Sequence, residues 1–98
     1  QLLAKNVSDK ENQLLRLAYN SLRKKVADAL LLIQAKYNPE RKEKFDIDIS
    51  RDNLATMAGT ATESLIRTLS DFKSEKMIDI NEGRINIINQ QKLENLFN

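Results

Sequence analysis

The side chains with the most to offer chemically lie in one run, TESLIRTLSDFKS, from Thr62 to Ser74. At about 100° per residue, Thr62, Glu63, Ile66, Arg67, Ser70, Lys73 and Ser74 share one arc of a helix, while Leu65, Leu69 and Phe72 form the opposite stripe. Hydroxyls, a carboxylate and a guanidinium on one face are the groups that read base edges in a major groove. Arg67 has a blander alternative, a surface pair with Asp71 four residues on, worth about 0.3 kcal/mol. Its place between Glu63 and Ser70, away from Leu65 and Leu69, favours groove contact. Glu63 reads either as an acceptor for cytosine or as an acid in a first helical turn, where the dipole favours it. Lys73 and Lys76 suit a phosphate contact and a solvated surface equally well. Leu65, Leu69 and Phe72 read as core.

Such a face needs a rigid mount, and the preceding residues supply one. Ser50 is an N-cap, its hydroxyl accepting from free amides of a first turn. Leu54, Ala55, Met57 and Ala58 give apolar and small positions, and Ala55 lets a second helix cross closely. Gly59 marks the exit, because glycine takes φ > 0 without strain. Thr60 or Thr62 then caps the next helix. The stretch 50–73 reads as a helix-turn-helix. Arg51 opens the first of its helices, where a cation is electrostatically misplaced; an anionic phosphate partner relieves that cost.

Upstream, Gln1–Asn6 reads as the tail of a helix, and Ser8 or Asp9 as the cap of a new one, with Glu11 or Asn12 in its first turn. Leu14, Ala18, Leu22, Val26, Leu30, Ile33 and Tyr37 recur at helical period, broadened by Leu15, Tyr19 and Ala29. Asn20-Ser21 predicts a break. Two helices result, one of roughly ten residues and one from Ser21 to Tyr37 of roughly 25 Å. Arg23, Lys24 and Lys25 form a basic cluster in the first turn of the second helix, opposed to its dipole; it reads as a solvated surface in preference to a partner's contact. Asn38-Pro39 ends the helix, and Glu40–Lys44 is a charged loop. Phe45–Ile49 alternates strictly, a short half-buried strand with Phe45, Ile47 and Ile49 inward. Its outward Asp46 and Asp48 lack a third ligand or a Gly turn, so they read as a solvated edge and not as a metal site. Met77–Ile80 and Ile85–Ile88 flank a Gly-containing turn through Asn81–Arg84, the pattern of a β-hairpin. Gln90–Phe97 predicts a last helix that covers the core with Leu93, Leu96 and Phe97.

Composition sets the outer limits. The 98 residues suit one domain. Without Cys or His, disulfides, thiolate metal sites and the commonest general base are excluded. No carboxylate pair or Gly-rich loop reads as catalytic, so an enzyme is not expected. The longest apolar run, Ala29–Ile33, is far too short to span a membrane. With no signal pattern and no initial Met, the chain reads as a piece of a longer cytoplasmic protein. The net charge is +2, and 50–84 holds five basic residues against six acidic ones. A nucleic-acid reading therefore rests on where charges point.

In this order, helix, short strand, helix-turn-helix and hairpin wing resemble the C-terminal DNA-binding domain of the Crp/Fnr transcription regulators. The residues that carry the likeness are Ile49-Ser50-Arg51, Leu54-Ala55, Gly59, Glu63-Ser64-Leu65 with Arg67 and Leu69, and Met77-Ile78. Where the family's recognition helix has a Glu-Thr-Val-Ser-Arg type run, this chain has Glu63-Ser64-Leu65-Ile66-Arg67. The upstream LLRLAYNSLRKKVADALLLI is similar to the family's hinge and following helix.

The resemblance implies a mainly α fold with a small antiparallel β-sheet (α+β), a winged helix-turn-helix. Residues 1–20 correspond to the end of a dimerisation helix and a hinge helix, and 21–98 to the DNA-binding domain. A recognition helix at about 61–73 would enter the major groove, with a wing at about 78–88 on the backbone. Thr62, Glu63, Ser64 and Arg67 would face bases. Ser50, Arg51 and Thr60 would hold phosphates, Arg84 at the wing would touch the flanking backbone, and Lys73 is a further backbone candidate. Thr62 stands where some members have Arg, which puts one guanine contact in doubt. Ile66 replaces a small residue on the outer arc, suited to a thymine methyl or to sideways packing. The implied partners are double-stranded DNA, a second copy in the full-length protein and RNA polymerase, with no membrane and no cofactor in this stretch. A sensor upstream would be a cyclic-nucleotide-type β-barrel or, less often, a phosphorylatable receiver. The near-neutral charge of 50–84 keeps a winged-helix protein-interaction module as the alternative.

Overall fold

The computed structural model describes residues 2–40 and 45–96, with side chains from Lys10 onward. Phe97 and most of the charged loop after Pro39 lie outside the described residues. One long helix comes first, α1 (Leu2–Tyr37), followed by β1 (Asp46–Ile47), α2 (Arg51–Ala58), α3 (Thr62–Ser74), β2 (Ile78–Asn81), β3 (Arg84–Ile87) and the short α4 (Gln90–Glu94). The three strands make an antiparallel sheet in the order β1-β3-β2. The fold is a winged helix-turn-helix, mostly helical with one small sheet.

The expected break at Asn20-Ser21 and a fresh start at Ser8-Asp9 are both absent: α1 runs unbroken for 36 residues. The physical reason is that nothing in Leu2–Tyr37 forbids the helix. It contains neither Gly nor Pro, and an internal Asn or Ser costs well under about 0.7 kcal/mol. A capping preference is local, and here it loses to uninterrupted backbone hydrogen bonding. The stop comes as expected at Asn38-Pro39, where the Asn38 amide makes the last bond back to Gln34 O at 2.8 Å.

The apolar stripe of α1 divides in two. Val26, Ala27, Ala29, Leu30 and Ile33 are buried in the core, with Leu22 packed against it. Leu14, Leu15 and Leu17 are 66%, 68% and 66% exposed. Tyr37, assigned to the same stripe, is also exposed.

Around the buried half of α1 close Leu54, Ala55 and Ala58 of α2, then Leu65, Leu69 and Phe72 of α3. Ile47, Met77, Ile78, Ile85 and Leu93 complete the same core. The strand β1 is shorter than the alternation of Phe45–Ile49 suggested. Only Asp46 and Ile47 pair, with Asn86 and Ile85. Ile47 is buried, while Phe45 and Ile49 are half-buried against the core.

The turns follow the chemistry of their residues. Ser50 Oγ accepts from the Asn53 amide at 3.1 Å, the cap read from the sequence. Gly59, at φ 75°, lets α2 end with two reversed bonds, Gly59 N to Thr56 O at 3.2 Å and Thr60 N to Ala55 O at 3.0 Å. In the wing, Glu82 (φ 53°) and Gly83 (φ 79°) are both left-handed, as a two-residue hairpin turn of the primed type requires.

No atom lies within 4 Å of the place a Cβ would take on Gly59. Gly59→Ala therefore meets only the backbone cost of the left-handed conformation, about 1–2 kcal/mol. Urea unfolding should show a lower midpoint with an unchanged slope; an unchanged midpoint would mean that the turn has relaxed to another conformation.

Candidate nucleic-acid interface

The helix α3 is the centre of the site, and its two faces separate cleanly. Leu65, Leu69 and Phe72 are at most 1% exposed. Thr68 is buried too, and its hydroxyl is satisfied by donating to Ser64 O at 2.9 Å. On the other side Glu63, Ile66, Arg67, Ser70, Lys73 and Ser74 are exposed, while Thr62 and Ser64 are half-buried. Ile66, an isoleucine half open to solvent, lies beside Arg67 on that outer arc.

Glu63 and Arg67 pair with no charged side chain among the described residues. The bland partner for Arg67 is otherwise engaged: Asp71 Oδ2 accepts from the Tyr19 hydroxyl at 2.9 Å. The guanidinium of Arg67 is thus left available to an outside acceptor.

The start of α3 differs from expectation. Neither Thr60 nor Thr62 caps it. Ala61 occupies the cap position without a side-chain bond. Thr62 is the first helical residue, and its hydroxyl donates to Asp52 Oδ1 at 2.8 Å. That bond ties the first turn of α3 to the first turn of α2. An acid at the head of α2 is favoured by the dipole and also holds the Thr62 proton. Thr62 thus retains only an acceptor lone pair for a base.

The backbone candidates are spread along one sequence of elements. Ser50 is exposed even though its oxygen caps α2, and Arg51 and Thr60 are half-buried beside it. Lys73 is exposed near the end of α3. Arg84, exposed at the base of the wing, has its Nε 3.9 Å from Asp48 Oδ2. At that distance between solvated groups the pair is weak. Asp46 Oδ1 in turn lies 3.5 Å from Asn86 Nδ2. No group of three or more Asp, Glu, His or Cys that could hold a metal occurs among the described residues. No helix there is long and apolar enough to cross a membrane.

A family model for the Crp-like helix-turn-helix domain matches residues 24–96. The chain belongs to the Crp-like helix-turn-helix family. Among solved structures it is similar to the catabolite activator protein of Thermus thermophilus, at 26% identity and a TM-score of 0.78. A Crp/Fnr-family regulator structure from Eubacterium rectale matches at 27% identity and a TM-score of 0.67. Each match covers 97% of this chain and 42% of the other, so the chain spans less than half the length of these relatives. No curated protein sequence matches it.

Sequence reading missed one part of this Crp-like domain. Arg23, assigned to a solvated basic cluster with Lys24 and Lys25, is only 6% exposed, although both lysines are exposed as expected. It lies against the C-terminal end of α3 and bonds Glu75 through both terminal nitrogens, at 2.7 and 2.8 Å. The partner is 52 residues away, beyond the reach of any local pattern. The one local hint was Tyr19, a single helical turn before Arg23.

Hydrogen bonding from Arg23 holds the Glu75 carboxyl below its ordinary range, and Glu75 raises Arg23 in return. The folded value of Glu75 lies under the unfolded one, so this contribution to stability is complete above the unfolded pKa of about 4.3 and fades as pH falls through the folded value. Below about pH 5 the wild-type chain should lose stability more steeply than Glu75→Gln, as followed by thermal unfolding across an acid series. Parallel curves would contradict the pairing.

Proposed function

We propose that this chain binds double-stranded DNA sequence-specifically, as the output domain of a Crp/Fnr-type regulator. The supporting observation is the division of α3. Its apolar stripe is consumed by the core, while Glu63, Ile66, Arg67, Ser70 and Lys73 stand in solvent. In this reading α3 lies in the major groove, and Arg67 donates to guanine, a pairing worth roughly 1–3 kcal/mol of discrimination. Glu63 accepts from cytosine and Ile66 meets a thymine methyl. Ser64 and Thr62 contribute at the rim, Thr62 as an acceptor only. Ser50, Arg51, Thr60, Lys73 and Arg84 hold phosphates and set register.

One recognition helix reads only a few base pairs, so two copies would occupy half-sites about 34 Å apart. The exposed Leu14, Leu15 and Leu17 on the outer part of α1 support pairing with a second copy. A contact with RNA polymerase belongs to the same reading.

The near balance of charge over 50–84 favours a second reading, in which the outer face of α3 binds protein. Titrating random and selected duplexes at several salt concentrations separates the two. Phosphate engagement gives a steep fall of log affinity with log salt. No binding even at low salt would favour the protein partner.

Two substitutions test the roles within the face. Arg67→Ala should relax preference at one base position of each half-site in a binding-site selection; an unchanged motif would remove Arg67 from base reading. Arg51→Ala should weaken all duplexes about equally and lower the salt slope by about 1.

A further inference from the structure

We propose that Arg23 is a positioning residue for DNA recognition, acting through Glu75 and with Tyr19–Asp71 to fix the roll and pitch of α3. This rests on the assignment of α3 as the reading helix.

Arg23 is the single buried charged side chain among the described residues. Its Nη1 donates to Glu75 Oε2 at 2.7 Å and its Nη2 to Glu75 Oε1 at 2.8 Å, a two-pronged fork. Nη1 also lies 3.1 Å from the Tyr19 hydroxyl, which itself donates to Asp71 Oδ2 at 2.9 Å. The guanidinium carbon lies 5.1 Å from the Phe72 ring centre and 5.3 Å from that of Tyr19. Lys92 Nζ, 3.3 Å from Glu75 O, holds the same end of α3 from a third direction. Thus two residues one turn apart on α1 grip two residues one turn apart at the end of α3, with Phe72 between them.

Apolar burial decides which face of α3 turns inward, but it is non-directional and tolerates small rotations. A planar guanidinium fork fixes direction as well as distance. Side-chain tips ride about 6 Å from a helix axis, so a roll of roughly 10° carries them about 1 Å. Base-edge hydrogen bonds hold only over roughly 2.7–3.2 Å, which makes that displacement enough to lose one. Arg23 is buried but the Glu75 side chain is 43% exposed, so solvent screening keeps the net stability from this pair modest. Its directional geometry is what an apolar pair lacks.

The test uses the full chain, a duplex enriched from a random pool by the wild-type protein, and a scrambled duplex of equal length. The variant Arg23→Met/Glu75→Gln keeps net charge and leaves a side chain able to pack on Phe72. It should stay folded and bind scrambled duplex as the wild type does. Its preference for the selected duplex should fall by about tenfold, the equivalent of one base contact. Arg23→Lys keeps the charge without the fork and should lose preference similarly; a wild-type ratio for it would overturn the geometric claim. A purely structural role predicts lower thermal stability with both affinities falling by the same factor, which would also overturn it. Residual dipolar couplings of α3 against α1 in the free protein keep the two assignments apart. Changed couplings in the double variant support the latch even if no duplex binds the wild type, an outcome that would instead sink the DNA reading. Unchanged couplings with unchanged preference would refute the latch.

Discussion

The burial of three side chains on α3 is the constraint from which the rest of the domain follows. Leu65, Leu69 and Phe72 are closed off from water by α1, α2 and β2. Fully burying a residue of this size contributes about 1.5–3 kcal/mol. A surface pair such as Arg67 with Asp71 offers about 0.3 kcal/mol. The inward stripe therefore sets the orientation of the helix, and the outward arc has no vote. Once Leu65 and Phe72 are inside, the 100° step of the helix places Glu63, Ile66 and Arg67 outside.

Mounting such a helix takes two kinds of contact, and the domain uses them at opposite ends. At its start, Thr62 is tied to Asp52, and the Gly59 turn fixes the path from α2. At its end, Glu75 and Asp71 are held by α1. Lys76 follows in the left-handed region at φ 63°, and the Met77 amide returns to Phe72 O at 3.0 Å. A left-handed lysine costs about 1 kcal/mol relative to glycine. The domain accepts that cost where the chain must turn sharply from α3 into the first strand of the wing.

Much of this frame could be read from the residues, because it rests on short-range rules. The Ser50 cap, the Gly59 exit, the stripe of α3 and the hairpin around Gly83 each depend on neighbours within a few positions. What escaped reading depends on contacts distant in sequence or on competition between local preferences. Asn20-Ser21 carries a capping signal that a continuous helix overrides. Thr62 resembles a cap, but Ala61 takes the cap position, and Thr62, already the first helical residue, donates its hydroxyl to Asp52, ten residues earlier. Of the five-residue alternation in Phe45–Ile49 only two residues pair, because β3 is met only at Ile85 and Asn86. Arg23 looked like one of three solvated cations until α3 packed against it.

Arg23 also bears on how far the near-neutral charge of 50–84 counts against the proposed DNA partner. Five bases against six acids between 50 and 84 weigh against DNA only if every charge faces the same way. Glu75 is matched by Arg23 from outside the segment, and Asp71 accepts from Tyr19 on the α1 side of the helix. Asp52 and Asp79 accept only from neutral donors, the Thr62 hydroxyl and the Ile80 amide, and keep their full charge. Arg51, Arg67 and Lys73 have no carboxylate partner among the described residues. Charges act over roughly 8–10 Å at ordinary salt, less than the width of the domain, whose two shorter extents are 25 and 21 Å. The field at the outer arc of α3 is therefore set by the side chains nearest to it: the cations Arg67 and Lys73, the acid Glu63, and Asp52 at the edge where it meets Thr62.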